Sequence, residues 1–374
     1  MDTKNIYNCK LLNLLLDYNC KLYIFYICNM ENVEVIELLK KVNFTRSATT
    51  DRYLDPKEVD KELDNLSDRF KREVIGKSVK NRPINRLTWG NGNIKVFIWS
   101  QMHGNESTTT RALINLLFFI DEHHSLFIDL YHTLQLNIIP IVNPDGALKL
   151  DRYNANLVDL NRDAIDLSQP ESKLLMNCYN SIQPDVCFNL HDQRSIFAVN
   201  GNFAGMSFLA PSYNSEQSIE KNRSDSMSLI ARTVKFLSEN GLKGNIGRYD
   251  GTFNAKCFGD HFQSRGSTTV LIEAGQLQLD YNRDLSVYYS MLSLLYLLKS
   301  LKEKSPHEDQ IKNYRSIPMN EKLFYDLLIK NVKINGGCFN LMAKYEIGVN
   351  SDGKASYKVK VDRISKSLFP SHRL

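Results

Sequence analysis

Apolar runs and helical patterns alternate through the middle of the chain. The strand-like runs occupy residues 96–99, 134–142, 185–190 and 267–273. Aliphatic and β-branched runs of this length, bounded by polar turns, are typical of buried strands. Residues 108–122 and 281–301 carry apolar side chains at helical spacing, as buried or amphipathic helices do. Strands that alternate with helices in this way predict an α/β fold.

The pattern changes on both sides of this region. Residues 55–71 combine helical spacing with Glu and Lys pairs, which predicts a solvated helix. Residues 302–309 predict a boundary loop, and the strand-like residues 324–329 and 357–361 predict a small β-rich C-terminal appendage. We therefore predict an N-terminal helical segment at 30–69, a main domain at 70–304 and a C-terminal extension at 305–374.

Residues 1–29 form an unusual segment. They hold three of the seven cysteines and two apolar runs, which Asp17 and Lys21 interrupt. A membrane helix needs about twenty apolar residues, and a signal peptide needs a small-residue cleavage site, so neither interpretation fits. We expect a non-native or disordered extension and a natural start at Met30, followed by an amphipathic helix at 31–41.

The composition is that of an ordinary globular protein. The chain has 374 residues, of which 43% are hydrophobic and 24% are charged, and its net charge is +5. Its basic residues are scattered among acids, so neither a nucleic-acid partner nor a membrane is expected. The cysteines are sparse and unpatterned, and Cys187 lies within a strand pattern. Free thiols favour a cytoplasmic location, with secretion as the alternative.

Three of the strand patterns end in side chains that bind metals or protons. His103 and Glu106 follow the first pattern, His191 follows another, and Glu273 ends the last. Three His or carboxylate ligands and one open position make a catalytic zinc site. A loop that enters a helix can turn His103 and Glu106 toward one point, and open α/β sheets bind ligands at the carboxyl ends of their strands. The sequence thus indicates one zinc ion with a base beside it.

Each of these residues also has an ordinary explanation. A His-x-x-Glu match arises easily by chance among eight histidines. His191 would otherwise be a core histidine with a backbone partner. Glu273 would be solvent-facing or hydrogen-bonded, because burying an unpaired carboxylate is costly. The agreement of three strand ends favours the functional interpretation.

The polar stretch between the first ligand motif and His191 contains residues that can bind anions. Residues 143–146 read Asn-Pro-Asp-Gly, a turn in which Pro fixes φ and Gly permits the left-handed region. Arg152, Asn161 and Arg162 follow. A guanidinium suits carboxylate binding and also stabilises an oxyanion. Alternatively, both arginines merely pair with neighbouring acids such as Asp159.

These elements, in this order and at about these separations, resemble the zinc metallocarboxypeptidases, the funnelins similar to carboxypeptidase A. The resemblance covers residues 70–300, and residues 75–84 resemble the first hairpin of that domain. It implies an α/β/α sandwich on a mixed, mostly parallel central sheet. It also implies one zinc ion per chain and a substrate that is the C-terminus of a peptide or protein.

The resemblance gives the metal centre its roles. His103, Glu106 and His191 would bind zinc. Glu273 would act as the general base, taking a proton from the attacking water and passing it to the leaving amine.

It also gives the arginines their roles. Arg152 would hold the oxyanion, and Asn161 with Arg162 would bind the terminal carboxylate of the substrate. The family often has Asn after its Asn-Arg pair, whereas Asp163 stands here. A carboxylate beside the anchor would weaken its positive field.

Two specificity features stay open at this stage. The family has a mobile Tyr some twenty residues before its base, and Tyr249 is the nearest candidate, although a plain loop Tyr is equally consistent. Phe258 and Asp260 lie where a residue that selects the terminal side chain is expected. They indicate opposite preferences.

The sequence therefore predicts a zinc metallocarboxypeptidase. The alternative within hydrolases is a zinc amidohydrolase of the aspartoacylase or succinylglutamate desuccinylase type, acting on acyl-amino acids, because those enzymes also carry His-Gly-Asn-Glu and Asp-Leu-Asn-Arg stretches. A zinc module that binds peptides without cutting them is a third hypothesis, but neither a ligand nor the base is missing. The oligomeric state is left open.

Overall fold

The protein is described by a computed structural model that covers residues 38, 49, 51–303, 307–352, 354–367, 370 and 371. The expected extension at 1–29, the start at Met30 and all but one residue of the helix at 31–41 lie outside these residues. Thr45–Leu374 form one unit. The domain boundaries drawn from the sequence stay predictions.

Strands and helices alternate through the main domain as the hydrophobic pattern predicts. The strands are β1 (Lys71–Lys77), β2 (Pro83–Trp89), β3 (Ile94–Ser100), β4 (Leu134–Ile139), β5 (Val186–Asp192), β6 (Phe197–Val199), β7 (Asn202–Phe203), β8 (Met206–Leu209), β9 (Ile246–Arg248), β10 (Thr268–Ala274), β11 (Glu321–Lys322), β12 (Leu327–Ile334), β13 (Gly337–Val349) and β14 (Ala355–Ser365). The α-helices are α1 (Pro56–Leu63), α2 (Thr108–Glu122), α3 (Ile128–Thr133), α4 (Pro144–Ala147), α5 (Pro170–Ile182), α6 (Lys221–Leu237), α7 (Phe258–Ser264), α8 (Asp284–Ser300) and α9 (His307–Ser316).

The central sheet has the strand order β1-β2-β4-β3-β5-β10-β8-β9. Its four middle strands, β4, β3, β5 and β10, run parallel, whereas β1 and β2 on one side and β8 on the other pair antiparallel. Every residue of β5 is buried, as expected for a parallel strand that is covered on both faces. The mixed, mostly parallel sheet is confirmed, and the carboxyl ends of β3, β5 and β10 meet at one edge.

Helices cover both faces of this sheet. On one face α5 and α7 share a core cluster with Phe97, Trp99 and Cys187. Tyr179 of α5 stacks on Phe262 of α7 with ring centroids 3.9 Å apart. On the other face α2, α6 and α8 pack against β10 or its neighbours, and α8 contacts both other helices. The α/β/α sandwich is therefore confirmed.

Two local predictions were wrong. The helix expected over 55–71 ends at Leu63, and the chain enters β1 at Lys71. Between them Phe70 is buried and stacks on Trp89 with centroids 6.0 Å apart, a tertiary contact that outweighs helical spacing. The boundary loop expected over 302–309 gives way to helix α9 at His307. Within the part of the chain that the structure covers, no helix is long and apolar enough to cross a membrane.

The β-rich appendage is confirmed as a separate antiparallel sheet of β12, β13 and β14. β11, which precedes it, pairs with β6 of the main domain. The backbone amides of Leu323 and Phe324 both donate to the Ile196 carbonyl at 3.0 Å, and the Phe324 ring stacks on Phe203. The C-terminal sheet is therefore joined to the segment that directly follows β5.

Candidate metal centre and active site

The predicted ligands and base lie at the carboxyl ends of three neighbouring parallel strands. β3 ends at Ser100, and the loop after it carries His103 and Glu106. His191 lies near the end of β5, and Glu273 of β10 is directly opposite it. Paired residues of adjacent strands point to the same face of a sheet. The strand register therefore places Glu273 beside His191.

The loop after β3 has a constrained backbone. Gln101 adopts a φ of 50°, which is uncommon for a non-glycine residue, and its side chain donates to the Gly104 carbonyl at 2.9 Å. A Cβ on Gly104 would lie 1.9 Å from the carbonyl carbon of Gly146, so glycine is required for this close approach. Gly146 does not adopt the left-handed region expected from the sequence, because residues 143–146 enter helix α4, which Asn143 caps.

The side chains of His103, Glu106 and His191 converge. Their candidate ligand atoms all lie within 4.8 Å of one another, and all three residues are buried. Glu106 lies between the two rings, with Oε1 2.8 Å from His103 Nδ1 and Oε2 2.7 Å from His191 Nδ1. Two imidazoles and one carboxylate are a donor set of catalytic zinc sites. These residues therefore fit one zinc ion.

Asp159 orients one of these rings. Its Oδ1 lies 3.0 Å from His103 Nε2 and also accepts from the Asn161 amide at 2.9 Å. A carboxylate on one ring nitrogen fixes the tautomer and leaves the other nitrogen, Nδ1, for a metal. The sequence indicated Asp159 only as an arginine partner. Its position beside Asn161 gives no sign of a contact with a ring 56 residues away, so this positioning residue was missed.

Asp192 connects the metal loop to the sheet. Its carboxylate accepts from the amides of Thr108 and Thr109 at 2.8 and 3.1 Å. These are the first residues of α2, and the N-cap residue Ser107 makes no capping hydrogen bond of its own. A carboxylate at a helix N-terminus satisfies free amides and complements the helix dipole. Asp192 thus fixes the start of α2, and with it Glu106, against β5.

The pKa values of the Glu106 and Glu273 carboxyl groups are shifted in opposite directions. Burial alone would raise the pKa of Glu106, but the adjacent His103 and His191 lower it well below its ordinary value. Burial, reinforced by the charges of Glu106 and Asp192, raises the pKa of Glu273 well above its ordinary value. Such a pair indicates separate roles. Glu106 stays ionised as a ligand, whereas Glu273 is suited to accept a proton.

Arg152 is held in ion pairs at the rim of the metal centre. Its Nε and Nη2 donate to Asp159 Oδ2 at 3.1 and 3.0 Å, and its Nη1 lies 3.2 Å from Glu106 Oε1. Arg152 therefore pairs with a neighbouring acid, which was the alternative interpretation of its sequence context. The contacts also fix the guanidinium beside the ligands, where it can face developing negative charge.

Asn161 and Arg162 differ in how far their side chains are engaged. Asn161 Oδ1 accepts from the Phe258 amide at 3.1 Å, and its Nδ2 lies 3.4 Å from His191 Nε2. Arg162 is exposed, and its Nη1 contacts only the Asn161 carbonyl and Cys257 Sγ. Among the residues that the structure covers, it has no carboxylate partner. Its charge acts on Asp159 and Asp260 without an ion pair to either, so the guanidinium is available in the cleft.

Comparison with known proteins agrees with this geometry. A family model described as zinc carboxypeptidase matches residues 59–173, a segment that contains His103, Glu106, Arg152, Asn161 and Arg162. The match covers less than a third of the chain.

Similarity to individual proteins is local. Probable carboxypeptidase 2 of Arthroderma benhamiae is 25% identical over 100 residues, which is 26% of this chain and 19% of that protein. Carboxypeptidase SOL1 of Arabidopsis thaliana is 33% identical over 103 residues, covering 24% of this chain and 21% of its own length. The chain thus spans about a fifth of the length of these relatives. A metallo-carboxypeptidase structure from Burkholderia cenocepacia matches 66% of this chain and 68% of its own, at 18% identity and a TM-score of 0.52, which shows a shared fold.

A chamber of about 580 Å³ lies next to the three candidate metal ligands. We call it the terminal chamber. It is lined by the ligand triad and by residues that include Arg162, Asn189, Asp260, Glu273 and Tyr249. Phe258 is fully buried and packs on Phe262 with centroids 5.5 Å apart. Of the two specificity candidates, Asp260 lines the chamber and Phe258 belongs to the core.

The structure also shows the contacts of Tyr249 and Asp163, the two remaining residues singled out in the sequence. The Tyr249 hydroxyl donates to Gln193 Oε1 at 2.9 Å, and the Tyr249 ring lines the terminal chamber with Glu273. The Asp163 carboxylate accepts from Ser168 and from the Gln169 amide, and these hydrogen bonds outweigh burial and lower its pKa. Asp163 is buried outside the chamber lining, and the weakening of the arginine field expected from the sequence stays a prediction.

Proposed function

We propose that the protein is a zinc-dependent metallocarboxypeptidase that hydrolyses the C-terminal peptide bond of peptides or proteins. One observation carries this proposal: the unpaired cation of Arg162 lies in the same chamber as the ligand triad and Glu273. A fixed cation near a hydrolytic centre recognises a terminal carboxylate. It therefore restricts cleavage to the last residue.

The side chains divide the reaction among themselves. When bound by His103, Glu106 and His191, zinc would lower the pKa of a coordinated water and polarise the carbonyl to be cut. Glu273 would take the proton from the attacking water and deliver it to the leaving amine. Arg152, fixed at the rim of the centre, would face the charge that develops on the carbonyl oxygen.

The residues that line the terminal chamber support a preference for substrates whose C-terminal residue is basic. Asp260 presents a carboxylate there, with Leu209 and Leu271 among the apolar lining. Asn189 is fully buried, and neither amide atom has a hydrogen-bond partner in the structure. A buried amide without partners is costly, so it would gain from a polar terminal group. A lysine side chain offers an aliphatic stem and a cationic end to this lining.

The preference for lysine should depend on pH. Burial raises the pKa of Asp260 to about 6, although the amides of Ser212 and Asn254 and the charges of Arg223 and Arg162 act against the shift. Asp260 is therefore mostly protonated at pH 5 and mostly ionised at pH 7.5. We expect kcat/KM for peptides ending in Lys, relative to matched peptides ending in norleucine, to rise roughly tenfold or more over this range.

Dividing kcat/KM for the Lys peptide by kcat/KM for the norleucine peptide cancels the effect of titrating the catalytic groups, because both peptides use the same groups. Asp260→Asn should lower the ratio and make it independent of pH. Asp250→Asn, which changes another acid of the chamber lining, serves as the matched control and should keep the rise. A ratio near one for the unaltered protein at every pH would refute the basic preference without touching the hydrolase assignment.

The reaction itself is tested by a C-terminal release profile. The full chain is incubated with a peptide library and with acyl-amino acids, with and without a chelator. We expect single residues to leave the C-terminus, the chelator to stop release and added zinc to restore it. Peptides with an amidated C-terminus should be poor substrates, because Arg162 then lacks its anion. Turnover of acyl-amino acids but not of peptides would favour the amidohydrolase alternative instead.

A further inference from the structure

The cleft has a second chamber of about 720 Å³ on the other side of the metal centre. We call it the upstream chamber. One wall belongs to the main domain and the facing wall to the C-terminal sheet, for which the sequence offered no chemistry. The main-domain wall includes Arg52, Arg194 and Arg283, and the sheet contributes Tyr345, Ile347 and Tyr357.

The proposed function fixes which part of a substrate would enter this chamber. Glu106 and Arg152 line both chambers, so the bond to be cut lies between them. The anchor Arg162 and the base Glu273 line the terminal chamber alone. The terminal residue therefore occupies that side. The residues that precede it must leave through the upstream chamber.

The charged groups on the sheet wall are mostly neutralised by local partners. Lys344 pairs with Asp362 at 2.7 Å, and Glu346 pairs with Lys360 at 2.8 Å. Asp326 accepts from the Tyr345 amide at 2.8 Å. The sheet thus presents aromatic and aliphatic surface with two ion-paired charges, whereas the Asp326 carboxylate is hydrogen-bonded to a neutral amide and acts electrostatically on Arg283.

The main-domain wall differs, because Arg52 carries an uncompensated cation. Arg52 is 9% exposed, and its carbonyl accepts from the Ser107 hydroxyl, which holds the residue beside the metal loop. Its guanidinium makes no ion pair or hydrogen bond within the described part of the chain. Arg194 is exposed, lines both chambers and, on the same basis, also has no carboxylate partner.

A second buried guanidinium lies nearby. Arg283 is 3% exposed, and its Nη atoms donate to the carbonyls of Ala274 and Gln193 at 3.2 and 2.8 Å. Its nearest carboxylate is that of Asp192, at 3.6 Å. Burial and the charge of Arg52 lower the pKa of Arg283 to about 10. Two like charges held together in a cavity are stabilised by a bound anion.

We infer that the upstream chamber binds the residues before the scissile bond and that Arg52, with Arg194, selects an acidic side chain among them. This inference rests on the proposed carboxypeptidase function. It gives the C-terminal sheet a role as the facing wall that keeps this stretch of substrate against the arginines. A carboxylate that reaches Arg52, which is itself buried, would form a charge-assisted hydrogen bond in a partly enclosed space, where such bonds are stronger than in water.

The test uses the full-length, zinc-loaded protein and peptides that share one C-terminal residue. Glu replaces Gln at each of the three preceding positions in turn, and kcat/KM is measured for every pair. We expect Glu to be preferred about tenfold at one of these positions, with a smaller preference at high salt. Arg52→Gln should remove the preference while leaving the Gln peptide nearly unchanged, and Arg194→Gln should reduce it. Arg52→Lys should keep part of it.

The control variant is Arg69→Gln, a surface arginine outside the chamber that pairs with Asp121, and it should behave as the unaltered protein. Binding gives an independent measurement: anisotropy of N-terminally labelled Glu and Gln peptides on the inactive Glu273→Gln protein should show the same difference. Less than twofold discrimination at all three positions, or discrimination that survives both Arg52→Gln and Arg194→Gln, overturns the inference. Failure of the unaltered protein to shorten any peptide counts against the proposed function, and the binding measurement then still decides the inference.

Discussion

Replacing Glu273 by Gln is expected to reduce peptide turnover by roughly 10²- to 10⁴-fold while zinc stays bound. The amide has nearly the same shape as the carboxylate but cannot take a proton from water. No hydrogen bond to the Glu273 carboxylate is present within the residues that the structure covers, and burial already disfavours its ionised form. Its removal should therefore leave the folded protein at least as stable. Steady-state kinetics, zinc content and thermal melting are measured on the same sample.

Two comparisons make this result specific. Glu239→Gln, just beyond the end of α6, changes a surface carboxylate and should leave turnover unchanged. Unaltered turnover in Glu273→Gln would show that another group acts as the base. Loss of turnover together with loss of zinc would show a structural defect instead, and the catalytic role would then lack support.

Replacing His191 by Ala is expected to remove zinc binding along with turnover. The zinc content of the purified protein should fall from about one ion per chain to near zero, because two protein ligands hold the ion far less tightly than three. The variant should also lose the thermal stabilisation that added zinc gives to the metal-free protein, since a ligand stabilises only the state that binds it. Metal analysis and thermal melting with and without zinc check both results.

Asp159→Asn should weaken zinc binding less than His191→Ala does. All three ligands remain, but the carboxylate that orients His103 becomes an amide. We expect zinc affinity to fall roughly 10- to 100-fold, with turnover recovered at higher zinc concentration. Retention of a full zinc ion by His191→Ala would contradict the ligand assignment, and unchanged affinity in Asp159→Asn would remove the positioning role.

The fold and the convergence of His103, Glu106 and His191 are the features that the sequence predicted best. Helix α2 has the predicted bounds, since apolar residues at helical spacing form a local signal. The predicted strand ends carry His103, Glu106, His191 and Glu273 to one edge of a parallel sheet. Chain direction alone brings such residues together, because the carboxyl ends of parallel strands coincide.

Contacts across the fold could not be predicted in this way. The pairing of Asp159 with His103 and the capping of α2 by Asp192 depend on how loops cross the sheet edge. The choice between Phe258 and Asp260 depended on the rotation of helix α7, which buries one side chain in the core and turns the other toward the chamber. Neighbouring residues give no local signal of this difference.

The sequence by itself determined the chemical character of the candidate site, because the imidazoles, carboxylates and arginines expected there are properties of residue type and order. Only the tertiary structure decided which charges are neutralised. Arg152, Arg52 and Arg162 all line chambers, but among the described residues only Arg152 of the three forms an ion pair with a carboxylate, and the C-terminal sheet forms one wall of the second chamber. Ion pairing and enclosure depend on distances between segments far apart in the chain, and those distances are set by packing rather than by local pattern.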